Sequence, residues 1–508
     1  MYFVMVFSLT VYIVASIMLM IYGLHLYVML GLFYRRQKKC RREISEKIKN
    51  FYSSTANNEL PFVTIQLPVY NEGEIVLRLI RSAAEVDYPK DKFEIQVVDD
   101  SSDDTVNIID DIVEELKCKG IDIYAVRRSD RVHFKAGALA NALKCAKGEY
   151  AAIFDADFLV AKDFLRRSIA QIHSNPKMAC VQGRWGHVNR LENWLTRAQS
   201  IGIDGHFTAE QGARSYNNLC MNFNGTAGVW RISAIADAGG WSGDTLTEDL
   251  DLSYRVQLVG YKISYDFDLV CPAELPNNVV ALKSQQKRWA KGSMETAIKL
   301  MPAIFKSKRL NILQKIEAFI HLTHYSVALL MVILSIFTLP ILILTPKLEL
   351  SFFLPILWTI IILSALAPCT LYTGSGAMQK RGIFSFYHFP AMLAVGTGLC
   401  INNAIAVMEA LFGQKSAFIR TPKSGSSNTV SKKGKYKVST KLLPAYLEIA
   451  LGLYCAYTFT FYFFAAQYFF GVFIAAYSIG LLVFGIKTLI FIAEENTVQK
   501  KSAKAIIS

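Results

Sequence analysis

Two pairs of aspartates in the sequence are spaced so that they could bind a divalent cation and a phosphorylated ligand. Asp99 and Asp100 follow one short apolar segment, and Asp155 and Asp157 follow another. Hard cations such as Mg²⁺ and Mn²⁺ take carboxylate oxygens and share their remaining positions with a diphosphate. Surface acids at the start of a helix explain most isolated Asp-x-Asp pairs, so this motif needs support from other residues.

A third acidic group and a basic–aromatic motif supply that support. Glu248 and Asp249 lie further along the chain, and Gln285, Arg288 and Trp289 precede a long apolar region. In a helix the last three share one face, because they are spaced i, i+3 and i+4. The guanidinium can then hold a diphosphate bidentately, and the indole offers a flat apolar surface to a sugar ring. Anchoring at a membrane interface is the alternative for this motif.

Short strands that alternate with helices are predicted to position these groups. One helix is predicted over Ser102–Lys119. The predicted strands are Phe62–Leu67, Glu94–Val98, Ile121–Val126 and Tyr150–Phe154. This alternation predicts a doubly wound α/β domain, in which ligands bind at the carboxyl ends of the strands. Both aspartate pairs are therefore expected to face one crevice.

The composition excludes a soluble enzyme. Of 508 residues, 52% are hydrophobic and only 19% are charged, which indicates an integral membrane protein. The net charge of +14 is concentrated in residues 35–42, residues 413–441 and the tail after Val498. This distribution is typical of the flanks of membrane helices, and no nucleic-acid partner is expected. The nine scattered cysteines indicate reduced thiols, not disulfides or metal ligands.

About five apolar segments are predicted to span the membrane: one in residues 1–34, two in 325–372 and two in 442–492. The first is too long for a cleaved signal peptide, and its cations follow it. Cytoplasmic placement of the cations predicts a multi-pass plasma (inner) membrane protein whose N-terminus is outside. The remaining predicted regions are a cytoplasmic catalytic domain over 35–290, interfacial helices over 291–324, an interfacial or re-entrant helix over 383–412, a basic loop over 413–441 and a cytoplasmic tail over 493–508.

Together these motifs resemble the membrane-embedded processive family 2 glycosyltransferases, which include the cellulose, chitin and hyaluronan synthases. The motifs are Asp99/Asp100, Asp155-x-Asp157, Thr247-Glu248-Asp249 and Gln285-x-x-Arg288-Trp289. Residues 66–72, 134–143, 223–231 and 244–255 most resemble the cellulose-synthase-like mannan, glucomannan and xyloglucan-backbone synthases and their bacterial relatives. The resemblance covers roughly residues 60–495. It implies an α/β GT-A (Rossmann-like) domain inserted between transmembrane helices.

The resemblance also implies residue roles in binding a nucleotide-sugar donor. Asp155 and Asp157 are the implied ligands of Mn²⁺ or Mg²⁺, and Asp155 also belongs to the donor site. The other implied donor-binding residues, from the base toward the diphosphate, are Pro68, Tyr70, Glu72, Asp99 or Asp100, Lys135 and Gly137.

The implied catalytic residues act on the acceptor and the leaving group. Asp249 is the general base for the acceptor hydroxyl, and Arg288 stabilises the leaving diphosphate. Glu248 and Gln285 complete the catalytic set, and Trp289 lies under the acceptor sugar. The loop expected to line the same place is Asn224-Gly225-Thr226.

One segment of the basic loop resembles the gating loop of cellulose synthase. In residues 418–423, Phe418, Thr421 and Lys423 match its FxVTxK pattern, and Arg420 replaces the valine. The resemblance implies that Thr421 and Lys423 meet the diphosphate when the loop closes. The alternative is that these cations face anionic lipid.

These features predict an inverting polysaccharide synthase that also translocates its product. It would transfer hexose from GDP-mannose, GDP-glucose or UDP-glucose to a growing β-linked glycan of the mannan, glucomannan or β-glucan type. Its partners would be the donor, the growing polysaccharide and the lipid bilayer. Two alternatives stay open: a non-processive enzyme with a ceramide or polyprenyl phosphate acceptor, and a non-catalytic transporter or scaffold. The sequence does not predict the oligomeric state.

Overall fold

The computed structural model describes residues 2–344, 353–379, 381, 389–415 and 442–507. Within them, an α/β domain with one seven-stranded sheet lies between a long N-terminal helix and a set of apolar helices. The strands are β1 Val63–Val69, β2 Phe93–Asp99, β3 Ile123–Arg127, β4 Tyr150–Ile153, β5 Met178–His187, β6 Gly228–Arg231 and β7 Lys262–Ala273.

The sheet is mixed and has the order β3-β2-β1-β4-β6-β5-β7. Strands β1 to β4 pair in parallel, whereas β6 is antiparallel to both β4 and β5, and β5 is parallel to β7. The four predicted strands are confirmed as β1 to β4, with bounds that differ by a few residues. Strands β5, β6 and β7 were not predicted from the sequence, so the predicted doubly wound order describes only the first half of the sheet.

Helices cover both faces of the sheet, and the central strands are buried between them. Every residue of β2 is buried, and so is all of β1 except Pro68, as expected for strands that are covered on both faces. The helices of this domain are α2 Gly73–Ala84, α3 Thr105–Cys118, α4 Phe134–Leu143, α5 Phe164–His173, α6 Trp194–Gly205, α7 Gln211–Tyr216, α8 Ile232–Asp237 and α9 Glu248–Leu258. A five-residue π-helical turn, His206–Glu210, joins α6 to α7.

The other helices are long and mostly apolar. They are α1 Tyr2–Ser54, α10 Val279–Lys306, α11 Ile312–Thr323, α12 Ser326–Leu344, α13 Phe353–Met378, α14 Phe389–Gly398, α15 Cys400–Leu411, α16 Leu442–Phe464 and α17 Tyr468–Ile507. Five stretches among the described residues are long and apolar enough to cross a membrane: Val6–Ser54, Ser326–Ile343, Phe389–Leu411, Leu442–Phe464 and Gly471–Thr497. The protein is therefore a multi-pass membrane protein. The path of residues 383–412, taken above as interfacial or re-entrant, stays a prediction, although Phe389–Leu411 is one of the five stretches.

The first helix joins the membrane part to the α/β domain. The Tyr27 hydroxyl donates to the Leu363 carbonyl at 3.1 Å, and the Tyr34 hydroxyl donates to the Gly374 carbonyl at 2.9 Å. Helices α1 and α13 therefore run in parallel and leave the apolar region on the same side. Beyond Tyr34 the first helix continues without a break to Ser54, where it packs against the domain.

Candidate active site

A cavity of about 180 Å³ lies where the carboxyl ends of the central strands meet α10. Its walls bring together residues from the acidic motifs, the Asn224 loop and the α10 motif. The predicted residues that line it are Pro68, Tyr70, Glu72, Asp100, Lys135, Asp155, Asp157, Asn224, Gly225, Glu248, Asp249, Gln285, Arg288 and Trp289. One concave site therefore contains the acidic, basic and aromatic groups that the sequence analysis singled out.

Lys135 and Asp155 form an ion pair at the centre of this cavity. The Lys135 Nζ lies 2.5 Å from Asp155 Oδ1 and donates to the Gly225 carbonyl at 2.7 Å. Burial raises the pKa of Asp155, and the negative charges of Asp157 and Glu248 raise it further, against the opposing effect of Lys135. The cavity therefore holds more negative charge than its lysine balances.

Asp249 lies in the first turn of α9, where the helix N-terminus favours acidic side chains. Its Oδ1 accepts a hydrogen bond from the Leu250 backbone N–H at 2.9 Å. Burial and the adjacent Glu248 raise its pKa to about 7, against the opposing effects of Lys135 and Arg288. A carboxylate with this pKa can accept a proton near neutral pH.

Gly225 allows its loop to approach Asp249 closely. Its φ is +80°, and a Cβ at this position would lie 2.9 Å from Asp249 Oδ2. Any larger residue would therefore be strained and would also displace the carboxylate. Glycine at position 225 therefore lets the loop pack directly against the Asp249 carboxylate.

Helix α10 presents its predicted motif to the cavity as one face. Gln285, Arg288 and Trp289 all line it. Trp289 lies 6.3 Å from the ring of Trp185, which stacks on Phe207 at 4.8 Å. These rings form an aromatic wall of the kind that binds the face of a sugar.

Three predicted substrate-binding residues lie behind the cavity wall instead of lining it. The Asp99 side chain is buried and accepts hydrogen bonds from Arg127 and from the Ser101 backbone N–H, so of the alternatives Asp99 and Asp100 only Asp100 reaches the cavity. Thr226 is buried, and its hydroxyl accepts a hydrogen bond from the Asp155 backbone N–H at 2.9 Å.

Gly137 is the third of these residues. A Cβ there would collide with the Val132 carbonyl, so this glycine permits close packing of α4. The predicted gating-loop residues Phe418, Thr421 and Lys423 lie outside the described residues.

Two arginines near the end of the cavity that Tyr70 and Asp100 line were not predicted from the sequence. Arg128 holds Asp100 with two hydrogen bonds of 2.8 and 2.6 Å, and the Arg131 guanidinium lies 3.3 Å from the centre of the Tyr70 ring. The run of basic residues after β3 could have indicated both arginines, since the carboxyl end of β3 lies beside that of β2 in the sheet.

A chain of buried and half-buried polar side chains links the cavity to α1; we call it the junction chain. Its members, in order from the cavity, are Asn224, His206, Glu210, Arg214, Glu317 and His25. Arg214 Nε lies 2.8 Å from Glu317 Oε1, and His25 Nε2 lies 2.6 Å from Glu317 Oε2. Burial alone would raise the pKa values of Glu210 and Glu317, but hydrogen bonds and neighbouring cations lower both.

Among the described residues, no group of three or more His, Cys, Asp or Glu side chains is placed to hold a metal ion. Asp155 and Asp157 nevertheless both line the cavity, and the lining of the cavity contains more acidic than basic side chains. Hard oxygen donors and excess negative charge fit a divalent cation whose remaining ligands come from a bound diphosphate.

The sheet and the position of the acidic pair after β4 define the class of the protein: it has the GT-A fold of glycosyltransferases, as predicted. The model of glycosyl transferase family 2 matches residues 64–235, and that of glycosyl transferase family group 2 matches residues 150–371. The chain belongs to the family 2 glycosyltransferases, in their cellulose-synthase-like branch, and the predicted family is confirmed.

Two relatives are plant enzymes. Glucomannan 4-beta-mannosyltransferase 2 of Arabidopsis thaliana is 42% identical over 264 residues, which are 51% of this chain and 49% of the relative. Glucomannan 4-beta-mannosyltransferase 1 of Oryza sativa subsp. japonica is 37% identical over 307 residues, or 59% of each chain. The chain thus spans about half of the length of the curated relatives it matches. A solved mannosyltransferase from Pyrobaculum calidifontis, in complex with GDP-Man and Mn²⁺, is 19% identical, with a TM-score of 0.47 over 78% of this chain and 100% of that one.

Proposed function

We propose that this protein is an inverting, metal-dependent hexosyltransferase that extends a β-linked glycan from a nucleotide-sugar donor. The observation that carries the proposal is the position of Asp249. Its carboxylate, with a pKa near 7, shares one cavity with the acidic pair Asp155 and Asp157 and with the aromatic wall around Trp289. A base, a diphosphate site and a sugar-stacking surface are the three parts that this reaction requires.

Asp249 and Trp289 act on the acceptor sugar. The terminal sugar of the glycan stacks on the indole, and Asp249 removes the proton from its attacking hydroxyl. The hydroxyl oxygen then bonds to the anomeric carbon from the face opposite the diphosphate, so the configuration inverts. The proton remains on the Asp249 carboxyl and leaves to water after the transfer.

The nucleotide-sugar donor is bound by the residues at one end of the cavity and by the acidic pair Asp155 and Asp157. Tyr70, Glu72 and Asp100 line one end of the cavity, and we assign this end to the nucleotide base. Asp155 and Asp157 would hold a Mn²⁺ or Mg²⁺ ion, which neutralises the charge of the leaving diphosphate. Arg288 donates N–H groups to the same leaving group, which stabilises the negative charge that develops on it.

The identity of the sugar is inferred from the curated relatives. Both plant relatives are named as glucomannan 4-beta-mannosyltransferases, which supports transfer of mannose to form β-1,4 linkages. We therefore place GDP-mannose first among the candidate donors, ahead of GDP-glucose and UDP-glucose.

The apolar helices support passage of the product through the same chain. We place the α/β domain in the cytoplasm and the N-terminus outside the plasma (inner) membrane, because the cations of residues 35–42 follow the apolar part of α1 on the domain side. A hydrated glycan needs polar and aromatic contacts to leave the cavity through an apolar medium, and the aromatic wall around Trp289 supplies the first of these contacts.

The test uses the full chain purified in lipid nanodiscs. Each labelled donor is supplied with Mn²⁺ or Mg²⁺, and the product is sized and digested with linkage-specific glycanases. We expect a polymer from GDP-mannose that β-1,4-mannanase degrades. A product that consists only of a lipid carrying a single sugar would replace this proposal by the lipid-acceptor alternative, and the absence of transfer from every donor would overturn it.

A further inference from the structure

Two ion pairs of the same composition lie side by side at the carboxyl ends of β2 and β3. Asp99 and Arg127 are neighbours in the register of the two strands, and each is followed by a residue of the same type. Arg127 Nε donates to Asp99 Oδ2 at 2.8 Å, and neither residue lines the active-site cavity. Arg128 binds Asp100, which does line it. This arrangement follows from the alternation of side chains along an extended chain.

Arg128 holds three acceptors with one guanidinium group. Its Nε and Nη2 donate to the two oxygens of Asp100 at 2.8 and 2.6 Å. Its Nη1 donates to the Val132 carbonyl at 2.8 Å, and its Nη2 also donates to the Phe134 carbonyl at 2.7 Å. The side chain is only 11% exposed. Arg128 therefore joins the end of β2 to the segment that leads into α4.

The segment that Arg128 holds has an unusual backbone conformation. His133 and Phe134 have φ values of +61° and +45°, in the left-handed region that bulky side chains rarely adopt. Residues persist in this conformation only where the surrounding contacts fix them. The two carbonyls that Arg128 binds belong to Phe134 and to Val132, the residue before His133. The guanidinium thus supplies contacts that fix the strained part of the segment.

Three side chains of this segment and of the start of α4 line the cavity: Arg131, Phe134 and Lys135. The Arg131 guanidinium lies 3.3 Å from the centre of the Tyr70 ring, and Lys135 Nζ lies 2.5 Å from Asp155 Oδ1. In the proposed function, the first contact lies at the nucleotide base and the second at the diphosphate. A shift of the segment would therefore disturb both ends of the donor site.

Gly137, in the first turn of α4, provides the space that these contacts need. A Cβ at this position would collide with the Val132 carbonyl and would lie 2.6 Å from Arg128 Nη1. A side chain there would therefore separate the guanidinium from a carbonyl that it binds. Substitution of Gly137 is thus a second way to disturb the same contacts, and it alters no charge.

We propose that Arg128 is a positioning residue of the donor site, which holds residues 131–134 against Asp100 so that Arg131 and Lys135 reach the nucleotide sugar. This inference rests on the proposed function, because it assigns these groups to the donor. Arg128 acts through them and not on the donor itself. The role requires the planar fork of a guanidinium, which donates to a carboxylate bidentately and to the carbonyls at the same time. A lysine keeps the charge but carries its donors on a single nitrogen.

The test measures the affinity for a nucleotide in the full chain in lipid nanodiscs. GDP and UDP are titrated in the presence of Mn²⁺ by isothermal titration calorimetry, and the nucleotide that the wild type binds more tightly is used for every variant. We expect Arg128→Lys to raise its Kd about tenfold, since loss of a contact that orients a binding group costs roughly 10- to 100-fold. The KM for an acceptor oligosaccharide should not change. A wild type that binds neither nucleotide would overturn the proposal.

Arg127→Lys is the matched control. It makes the same substitution one residue earlier, in the ion pair with Asp99 that does not line the cavity. The Kd for the nucleotide should therefore equal that of the wild type. Equal increases in both variants would indicate a general disturbance of this edge of the sheet and would overturn the proposal. An unchanged Kd in Arg128→Lys would also overturn it, because the charge alone would then be sufficient.

Gly137→Ala tests whether Arg128 acts through the segment. We expect a similar increase in Kd, and the double variant Gly137→Ala/Arg128→Lys should bind no more weakly than the weaker single variant, because both changes disturb the same contacts. Effects that multiply would show that Arg128 acts by another route and would overturn the proposal. If Gly137→Ala does not fold, the comparison of Arg128→Lys with Arg127→Lys decides the matter.

The binding measurement also separates this inference from the proposed function. A wild type that binds the nucleotide but transfers no sugar would overturn the proposed function alone. The Kd values of the two lysine variants would then still decide the role of Arg128, since they require no glycosyl transfer.

Discussion

Two groups of buried or half-buried carboxylates in this protein have opposite electrostatic environments. In the active-site cavity, burial and neighbouring acids raise the pKa values of Asp155 and Asp249. In the junction chain, hydrogen bonds and neighbouring cations lower those of Glu210 and Glu317 in spite of burial. The charges of the junction chain are balanced within the protein, whereas the lining of the cavity contains more acidic than basic side chains. This difference in pKa is of the kind that separates the acids of an active site, as proposed for Asp249, from acids in structural ion pairs.

The largest expected effect follows from the substitution Asp249→Asn. Loss of the general base should lower kcat by about 10³-fold, within the range that a positioned base contributes. The measurement is steady-state transfer from the labelled donor in nanodiscs. Asp244→Asn is the control, because Asp244 lies in the loop that precedes α9 and its side chain is 54% exposed. Full turnover by Asp249→Asn would remove Asp249 from the mechanism.

The substitution Glu317→Gln tests the structural role of the junction chain. It leaves Arg214 buried with fewer counter-charges, and breaking a buried pair costs about 3 kcal/mol. We expect a thermal midpoint several degrees lower, followed by tryptophan fluorescence, with kcat of the folded fraction unchanged. The exposed Glu43→Gln, whose partner Lys39 lies at 3.8 Å, is the control and should leave the midpoint unchanged. A fall in kcat without loss of stability would mean that the junction chain takes part in the reaction.

The substitution Trp289→Ala should act on acceptor binding alone. Loss of stacking should raise the KM for an acceptor oligosaccharide about tenfold, with the donor KM unchanged. Initial rates at varied acceptor concentration measure this. Trp194→Ala, on α6 and 39% exposed, is the matched control. An increase in the donor KM instead would place Trp289 at the nucleotide.

The smallest expected effect is the dependence on pH. Because Asp249 must be ionised and its pKa is about 7, kcat/KM should fall to half near that pH and continue to fall as the pH decreases. The free energy of unfolding depends on pH in the opposite direction. The folded protein binds more protons than the unfolded chain between the ordinary aspartate pKa and about 7, so stability falls as the pH rises through this window. In Asp249→Asn, the thermal midpoint measured across the pH range should lack the part of this decrease in stability that Asp249 causes.

The sequence predicted the first half of the sheet and not the second. Strands β1, β2 and β4 are nearly continuous buried runs, which are visible without any partner. Strand β5 instead contains Gln182 and Arg184, and β7 contains Asp266 and Asp268. These polar residues are compensated by contacts such as that of Arg167 with Asp266, which lie far apart in sequence. No local pattern reveals such pairs.

The sequence motifs predicted which types of residue form the candidate site, but not which of their side chains face the cavity. Asp99 and Asp100 are adjacent, and only the register of β2 decides that Asp100 faces the cavity. Arg128 and Arg131 were missed for a related reason: their partners, Asp100 and Tyr70, come from neighbouring strands. The motifs supplied the types of groups, and the sheet decided which of them meet.

The unbroken helix α1 has a mechanical consequence. It is 53 residues long, or about 80 Å, and it continues past the apolar segment to the α/β domain, where the Tyr52 hydroxyl donates to the Arg166 carbonyl at 3.1 Å. A rod of this length fixes both the distance of the domain from the bilayer and its rotation about the helix axis. One residue inserted near Gln37 would turn the lower half by about 100° and separate the domain from its helices. The alignment between the cavity and the membrane helices is thus set by the length of one helix.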